Sequence, residues 1–148
     1  MKIRDRSIRR GRPHRPHLLM AALLAALMFA AIGGAAANPQ TFNYRGTPLL
    51  TGGMSETDRQ IIRGEAAPYN LWLAFVEEDT GKYVSGVKVS VVNQDDDAVV
   101  DTVADGPWLL AQLPPGQYTV RIGDGKEQPV TVNPTGQTLT VMQVGRQP

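Results

Sequence analysis

Three consecutive acids, Asp95, Asp96 and Asp97, with Asp101 and Asp105 close behind, form the densest group of chemically capable side chains in the sequence. Carboxylates are hard oxygen ligands suited to calcium. A calcium loop spaces its ligands so that each points inward, however, and three Asp in a row do not match the EF-hand pattern. A solvated hairpin tip, where Asp is a favoured turn residue, accounts for the same residues. Calcium is therefore the one cofactor candidate, and no other cofactor or metal is expected. Acid–base work by paired carboxylates needs a substrate cleft, which nothing in the sequence suggests. The aromatic residues are the second group. Trp72, Trp108 and Tyr83 could form a stacking surface for sugar or peptide, since such rings concentrate in binding hot spots. The simpler account puts Tyr118 and Phe75 in a core and uses Trp72 and Trp108 to cover its ends or a short helix. Trp108, which starts a strand beside Gly106-Pro107, is the ring expected to be most exposed.

Other chemistry is excluded by composition. The 148 residues include no Cys, so thiolate nucleophiles, disulfides, Cys-ligated metals and a lipid-modified cysteine are ruled out. Both histidines, His14 and His17, lie in a basic head. Without that head there is no imidazole for a triad or a metal site, and Ser55, Ser85 and Ser90 have no base to activate them. The glycines at 52–53 and 123–125 do not sit between a strand and a long helix with an adjacent Lys-Ser/Thr, so they are not phosphate loops. No catalytic residue is expected.

The formal charge of +1 averages two unlike segments. Lys2, Arg4, Arg6, Arg9, Arg10, Arg12 and Arg15 precede the apolar run LLMAALLAALMFAAI at 18–32. Gly33-Gly34 and Ala35-Ala36-Ala37 follow, small residues of the kind a signal peptidase accepts, so residues 1–37 read as an export signal cleaved after Ala37. The competing reading is an uncleaved anchor, because residues 18–37 are long enough to cross a hydrocarbon core of ~30 Å. Either way the rest of the chain is placed outside the cytoplasm, periplasmic or secreted in the first case and membrane-anchored facing the periplasm in the second. Arg9-Arg10 invites a twin-arginine reading, but Gly11-Arg12-Pro13-His14 lacks the apolar position that would support it. From Asn38 onward eight basic residues face thirteen acidic ones, a balance of −5. An acidic body repels phosphate backbones, so no nucleic-acid partner is expected. After cleavage no stable membrane insertion is expected either.

The remaining residues suffice for one domain. Residues 38–54, with Pro39, Pro48 and Gly46, Gly52 and Gly53, lack periodicity and read as an extended linker. Residues 55–68 read as a short helix. Ser55 and Asp58 match a capping pattern, Glu56 and Asp58 suit the positive helix end, Pro68 closes it, and Ile61 and Ile62 are expected to pack on something. From Tyr69 to 148 the period changes to two. Seven strands are predicted at 70–76, 87–91, 98–102, 108–113, 118–122, 128–132 and 138–144, separated by Gly, Pro and Asp turns. That spacing predicts an all-β, seven-stranded antiparallel β-sandwich with a short N-terminal helix; a small barrel is the rival arrangement.

Gly86 before the valine strand, the loop at 93–97, the element Leu113-Pro114-Pro115-Gly116-Gln117-Tyr118-Thr119-Val120, Gly125, and the strand pair at 128–144 carry a resemblance. Together they resemble the carboxypeptidase regulatory-like domains, which are transthyretin-like seven-stranded sandwiches. With Gly52-Gly53-Met54-Ser55-Glu56 and Tyr69-Asn70-Leu71 the chain is similar to small exported proteins of Gram-negative bacteria that carry this domain alone. Gly106-Pro107-Trp108 departs from the family pattern, which reaches this strand directly from a Gly turn. The resemblance implies a non-catalytic module that acts through protein or cell-envelope contacts. The alternative expectation is a glycan-binding module using Trp108 and Trp72, with calcium at Asp95–Asp97 as support.

Overall fold

The computed structural model describes residues 38–145, which belong to one compact unit, Ala37–Pro148. The export signal and its cleavage after Ala37 lie outside the described residues. Nine strands and one helix follow in the order β1 Gln40–Tyr44, β2 Thr47–Gly52, α1 Glu56–Glu65, β3 Leu71–Glu77, β4 Val87–Val92, β5 Ala98–Ala104, β6 Trp108–Ala111, β7 Gly116–Ile122, β8 Glu127–Val132 and β9 Thr138–Val144. They form two sheets, one ordered β1-β2-β6-β3-β9 and the other β5-β4-β7-β8. Among the described residues the architecture is all-β, with two sheets and one helix; the two sheets agree with a sandwich rather than a small barrel, and the helix falls where the Ser55 capping pattern predicts it.

Two features correct the sequence expectation. The first is strand number, nine in place of seven. Residues 38–54 are no linker, because β1 and β2 form a hairpin whose second strand pairs with β6. Arg45 at φ 47° and Gly46 at φ 91° make its two-residue turn, the left-handed pair that matches the twist of hairpin strands. The pattern is hidden because β2 is buried on both faces. Leu49 lies in the core between the sheets and Leu50 under the helix, so no polar alternation marks the strand. The second correction concerns direction. β3 and β9 run parallel in register from Leu71–Thr138 to Glu77–Val144, while every other pairing is antiparallel.

Alternation along the strands supplies the core between the sheets. Leu71, Leu73, Phe75, Leu109, Met142 and Val144 on the first sheet meet Val87, Val89, Val91, Val120, Ile122 and Val130 on the second. The helix packs on the opposite face of the first sheet. Ser55 accepts from the Asp58 amide at 3.1 Å, and the Asp58 carboxylate accepts from the Ser55 amide at 3.3 Å, closing a capping box. Asp58, Ile62 and Ala66, one turn apart, face the sheet, and Ile62 meets a second apolar cluster with Leu50, Tyr69, Ala74, Trp108 and Leu110. Ile61 points away and is exposed, contrary to the expectation that both isoleucines pack. Below the helix, Gln137 Nε2 donates to the Ala66 and Tyr69 carbonyls at 2.7 and 3.0 Å, tying the helix C-terminus to the start of β9.

Candidate binding site

The helix is shorter than the sheet it lies on. It covers the outer face of β2 and β6 and part of β3, and leaves the β3–β9 side uncovered. There, Trp72, Ala74 and Val76 of β3 and Leu139 and Val141 of β9 line an apolar groove of about 330 Å³, with Trp108 at its floor and Tyr83 and Arg63 at its rim. Leu139, Val141 and Tyr83 are 65 %, 51 % and 54 % exposed. Single exposed apolar residues are ordinary; here Leu139 and Val141 lie next to each other on one face of β9 and are backed by aromatic rings.

The aromatics are held by edge contacts and two arginines. Trp72 and Trp108 meet with ring centroids 5.0 Å apart at 72°, and Tyr83 and Trp108 at 6.1 Å and 88°, the edge-to-face arrangement that aromatic quadrupoles favour. Arg59 and Arg63 lie one helical turn apart on α1. Arg63 stands over the Trp108 ring at 5.3 Å and Arg59 over Tyr83 at 5.7 Å, within cation–π range. Both guanidinium groups bond Glu56, at 3.1 Å from Arg59 Nε and 3.3 Å from an Arg63 terminal nitrogen, and Arg59 also donates to the Gly53 carbonyl at 2.8 Å. The hydrogen bonds from Arg59 and then Arg63 hold the Glu56 carboxyl below its ordinary pKa. Glu56 in the first turn of the helix thereby orients Arg63, which lines the groove, and Arg59, which stands over Tyr83 at its rim.

Trp108 corrects an expectation. It is 5 % exposed, where the sequence predicts the most exposed ring. Gly53 explains the difference. It adopts φ 94°, and a Cβ there would come within 3.2 Å of the Trp108 ring, so a side chain at 53 would push on the indole. The loop before α1 lies on one side of the ring and the helix on another. Trp72 is half-buried, and its indole Nε1 is buried with no hydrogen-bond partner among the described residues. Of the three ring candidates, Tyr83 is the one that presents itself to solvent. Tyr118 lies in the core with its hydroxyl donating to the Pro114 carbonyl at 2.6 Å, which braces the Pro114-Pro115-Gly116 turn.

The acid loop lies elsewhere, between β4 and β5 of the second sheet. Asn93 organises it. The Asn93 Oδ1 accepts from the Asp95 and Asp97 amides at 3.0 and 2.9 Å, the Asx-turn geometry that lets a short polar side chain stand in for backbone. Asp96 takes φ 64°, and its carboxylate bonds Arg121 at 2.9 Å, which also bonds Glu127 at 2.7 Å. These contacts, first with Asp96 and then with Glu127, raise the Arg121 pKa. The run of acids is thus accounted for by turn closure and an exposed ion pair. Among the described residues no group of three or more His, Cys, Asp or Glu side chains could hold a metal ion.

Residue type alone does not single out Leu139, Val141, Val76, Arg59 or Arg63. The signal available for β9 is its doubly apolar alternation, Leu139 and Val141 against Met142 and Val144, in a strand that ends the sheet order. Among the described residues no helix is long and apolar enough to cross a membrane. No protein-family model matches the chain, and no curated protein matches it.

Proposed function

We propose that the protein is a non-catalytic, exported β-sandwich module that binds a protein of the cell envelope through the groove beside α1. The observation that carries this reading is the uncovered half of an otherwise covered face, where Leu139, Val141 and Tyr83 are exposed over a floor of Trp72 and Trp108. Such a site has the anatomy of a protein-binding patch, with an apolar centre, aromatic rings and an arginine rim. Glycan stacking needs an open ring face, and the burial of Trp108 together with the edge packing of Trp72 disfavours it. The further proposal that β3–β9 form a carboxypeptidase regulatory-like, transthyretin-like domain rests on the resemblance at Leu113–Val120. It is supported by seven strands at the expected places, three in one sheet and four in the other, with the β1–β2 hairpin added beside β6.

The test is a photo-crosslinking side chain placed at Tyr83 and, as a control, at Val103, exposed on β5 of the other sheet. With the full chain expressed in cells, a specific adduct to another protein from position 83, absent from position 103, and lost when Leu139→Lys is added, is the expected result. Identical adducts from both positions, or none from 83, reject the reading.

A further inference from the structure

β9 is an edge strand with β3 on one side and no strand on the other among the described residues. The other three edges carry features that discourage pairing. β8 contains Pro129 and Glu127, β5 contains Asp101 and pairs with a register shift at Val91/Val92, and β1 is five residues long and mostly polar. β9 has seven residues, Thr-Leu-Thr-Val-Met-Gln-Val, with no charge, Pro or Gly.

Hydrogen bonds at its two ends define which backbone groups are free. The Thr138 amide donates to the Asn70 carbonyl at 2.8 Å, and the Glu78 amide donates to the Val144 carbonyl at 3.0 Å. Both bonds point towards β3. In a strand the N–H and C=O of one residue point the same way and the direction alternates. Thr138, Thr140, Met142 and Val144 therefore face β3, while Leu139, Val141 and Gln143 direct donor and acceptor to the open edge.

We propose that this edge pairs antiparallel with β9 of a second copy of the chain, about a twofold axis through Val141. That register is the one that uses all three outward residues. Val141 exchanges both hydrogen bonds with Val141 of the second copy, and Leu139 exchanges both with Gln143 on each side. A self-complementary patch of this kind is what a twofold interface requires. Charge supports the antiparallel direction: Glu77, Glu78 and Asp124 outnumber Lys126 at the Val144 end, and the twofold sets the two acidic ends at opposite ends of the pairing, where a parallel arrangement would bring them side by side. The exposed side chains of Leu139 and Val141 meet their counterparts on the outer face, and the two grooves become one surface crossing the axis. Two paired edges cover less than the ~1,600 Å² of a standard stable interface, so the dimer is expected to be concentration-dependent.

The test uses protein recovered after expression of the full chain. Light scattering after size exclusion over a range of concentrations should show a monomer shifting to a dimer. Val141→Pro removes only an N–H that faces the open edge, a position where strands accept Pro. It should keep the circular dichroism of the parent and raise the dimer dissociation constant by about tenfold or more, the loss of at least one hydrogen-bond pair. Because the chain has no Cys, Val141→Cys introduces a lone thiol, which a short bifunctional thiol reagent should join into a covalent dimer. Val103→Cys, equally exposed on β5, should not. A protein that stays monomeric at all concentrations, a Val141→Pro variant that dimerises like the parent, or equal crosslinking at 141 and 103 overturns the proposal.

Discussion

Asn70 and Leu113, 43 residues apart, are joined by two reciprocal hydrogen bonds: Asn70 Nδ2 donates to the Leu113 carbonyl at 2.6 Å, and the Leu113 amide donates to Asn70 Oδ1 at 2.9 Å. The amide side chain serves as one more residue of β-ladder where β6 ends, and it holds the Pro114-Pro115-Gly116 turn against the start of β3. Asn70→Ala leaves a part-buried donor and acceptor without partners and should cost about 2 kcal/mol, at about 1 kcal/mol per bond. Asn70→Asp keeps the acceptor alone and should also destabilise at neutral pH. Urea denaturation midpoints of the three proteins measure the effect; an unchanged midpoint in Asn70→Ala would mean that packing alone fixes this corner.

Gly106 and Gly64 should respond oppositely to alanine. A Cβ on Gly106 would sit 2.2 Å from the Gly52 carbonyl oxygen, a contact with backbone that cannot rotate away, whereas one on Gly64 meets nothing within 4 Å. Gly106→Ala must force β2 and the β5–β6 turn apart and should lower stability by several times the ~1 kcal/mol of an ordinary substitution. Gly64→Ala, inside α1, should raise it by about 0.5 kcal/mol through helix propensity. Thermal unfolding followed by circular dichroism separates the two.

Asp124 links stability to acid. Partial burial pushes its carboxyl pKa up, but the amides of Gly145 and Lys126 and the Lys126 ammonium outweigh this and hold it below the ordinary value. A depressed native pKa means that the unfolded state binds the proton more readily. The contribution is therefore present above the unfolded value of ~3.9 and is lost as the pH falls through the lower native value. Asp124→Asn should be less stable than the parent at neutral pH, and the gap should shrink below about pH 4. Denaturation curves at a series of pH values give the comparison; a gap that stays constant would assign the effect to packing.

The groove should be separable from the fold. Tyr83 and Leu139 are exposed, so Tyr83→Ser and Leu139→Lys should change stability by no more than about 0.5 kcal/mol. Leu139→Lys should nevertheless abolish the adduct formed from a crosslinker at position 83, and Tyr83→Ser the adduct formed from one at position 139. A large loss of stability in either variant would show that these side chains serve packing.

Seven strands from Asn70 onward are legible because one face of each is polar or the turn residues bracket it, as in Val87–Val92 and Tyr118–Ile122. The Ser55 cap is legible because its pattern is local. β2 is not, since Leu49 and Leu50 are both fully buried and a strand covered on both faces has no alternation to read. The binding face is hidden for a related reason. Leu71, Leu73 and Phe75 on one side of β3 and Trp72, Ala74 and Val76 on the other are equally apolar in sequence. Which set is open depends on where a helix of only ten residues comes to rest. The burial of Trp108 depends likewise on Gly53 approaching its ring, a contact between segments far apart in sequence. Composition flags Asp95–Asp97, yet the side chain that shapes that loop is Asn93.

The parallel pairing of β3 with β9 has a consequence for how the molecule is completed. The hairpins β4–β5 and β7–β8 join neighbours in sequence and close over short loops. β3 instead borders on the last strand of the sandwich, so a chain that emerges N-terminus first holds Leu71, Leu73 and Phe75 without their full cover until residues 138–144 arrive. Loop-closure entropy must be met before that contact returns anything. The pairing thus works as a checkpoint: until residues 138–144 are in place, β3 is itself the edge of its sheet, with Met142 and Val144 missing from the core beside Phe75.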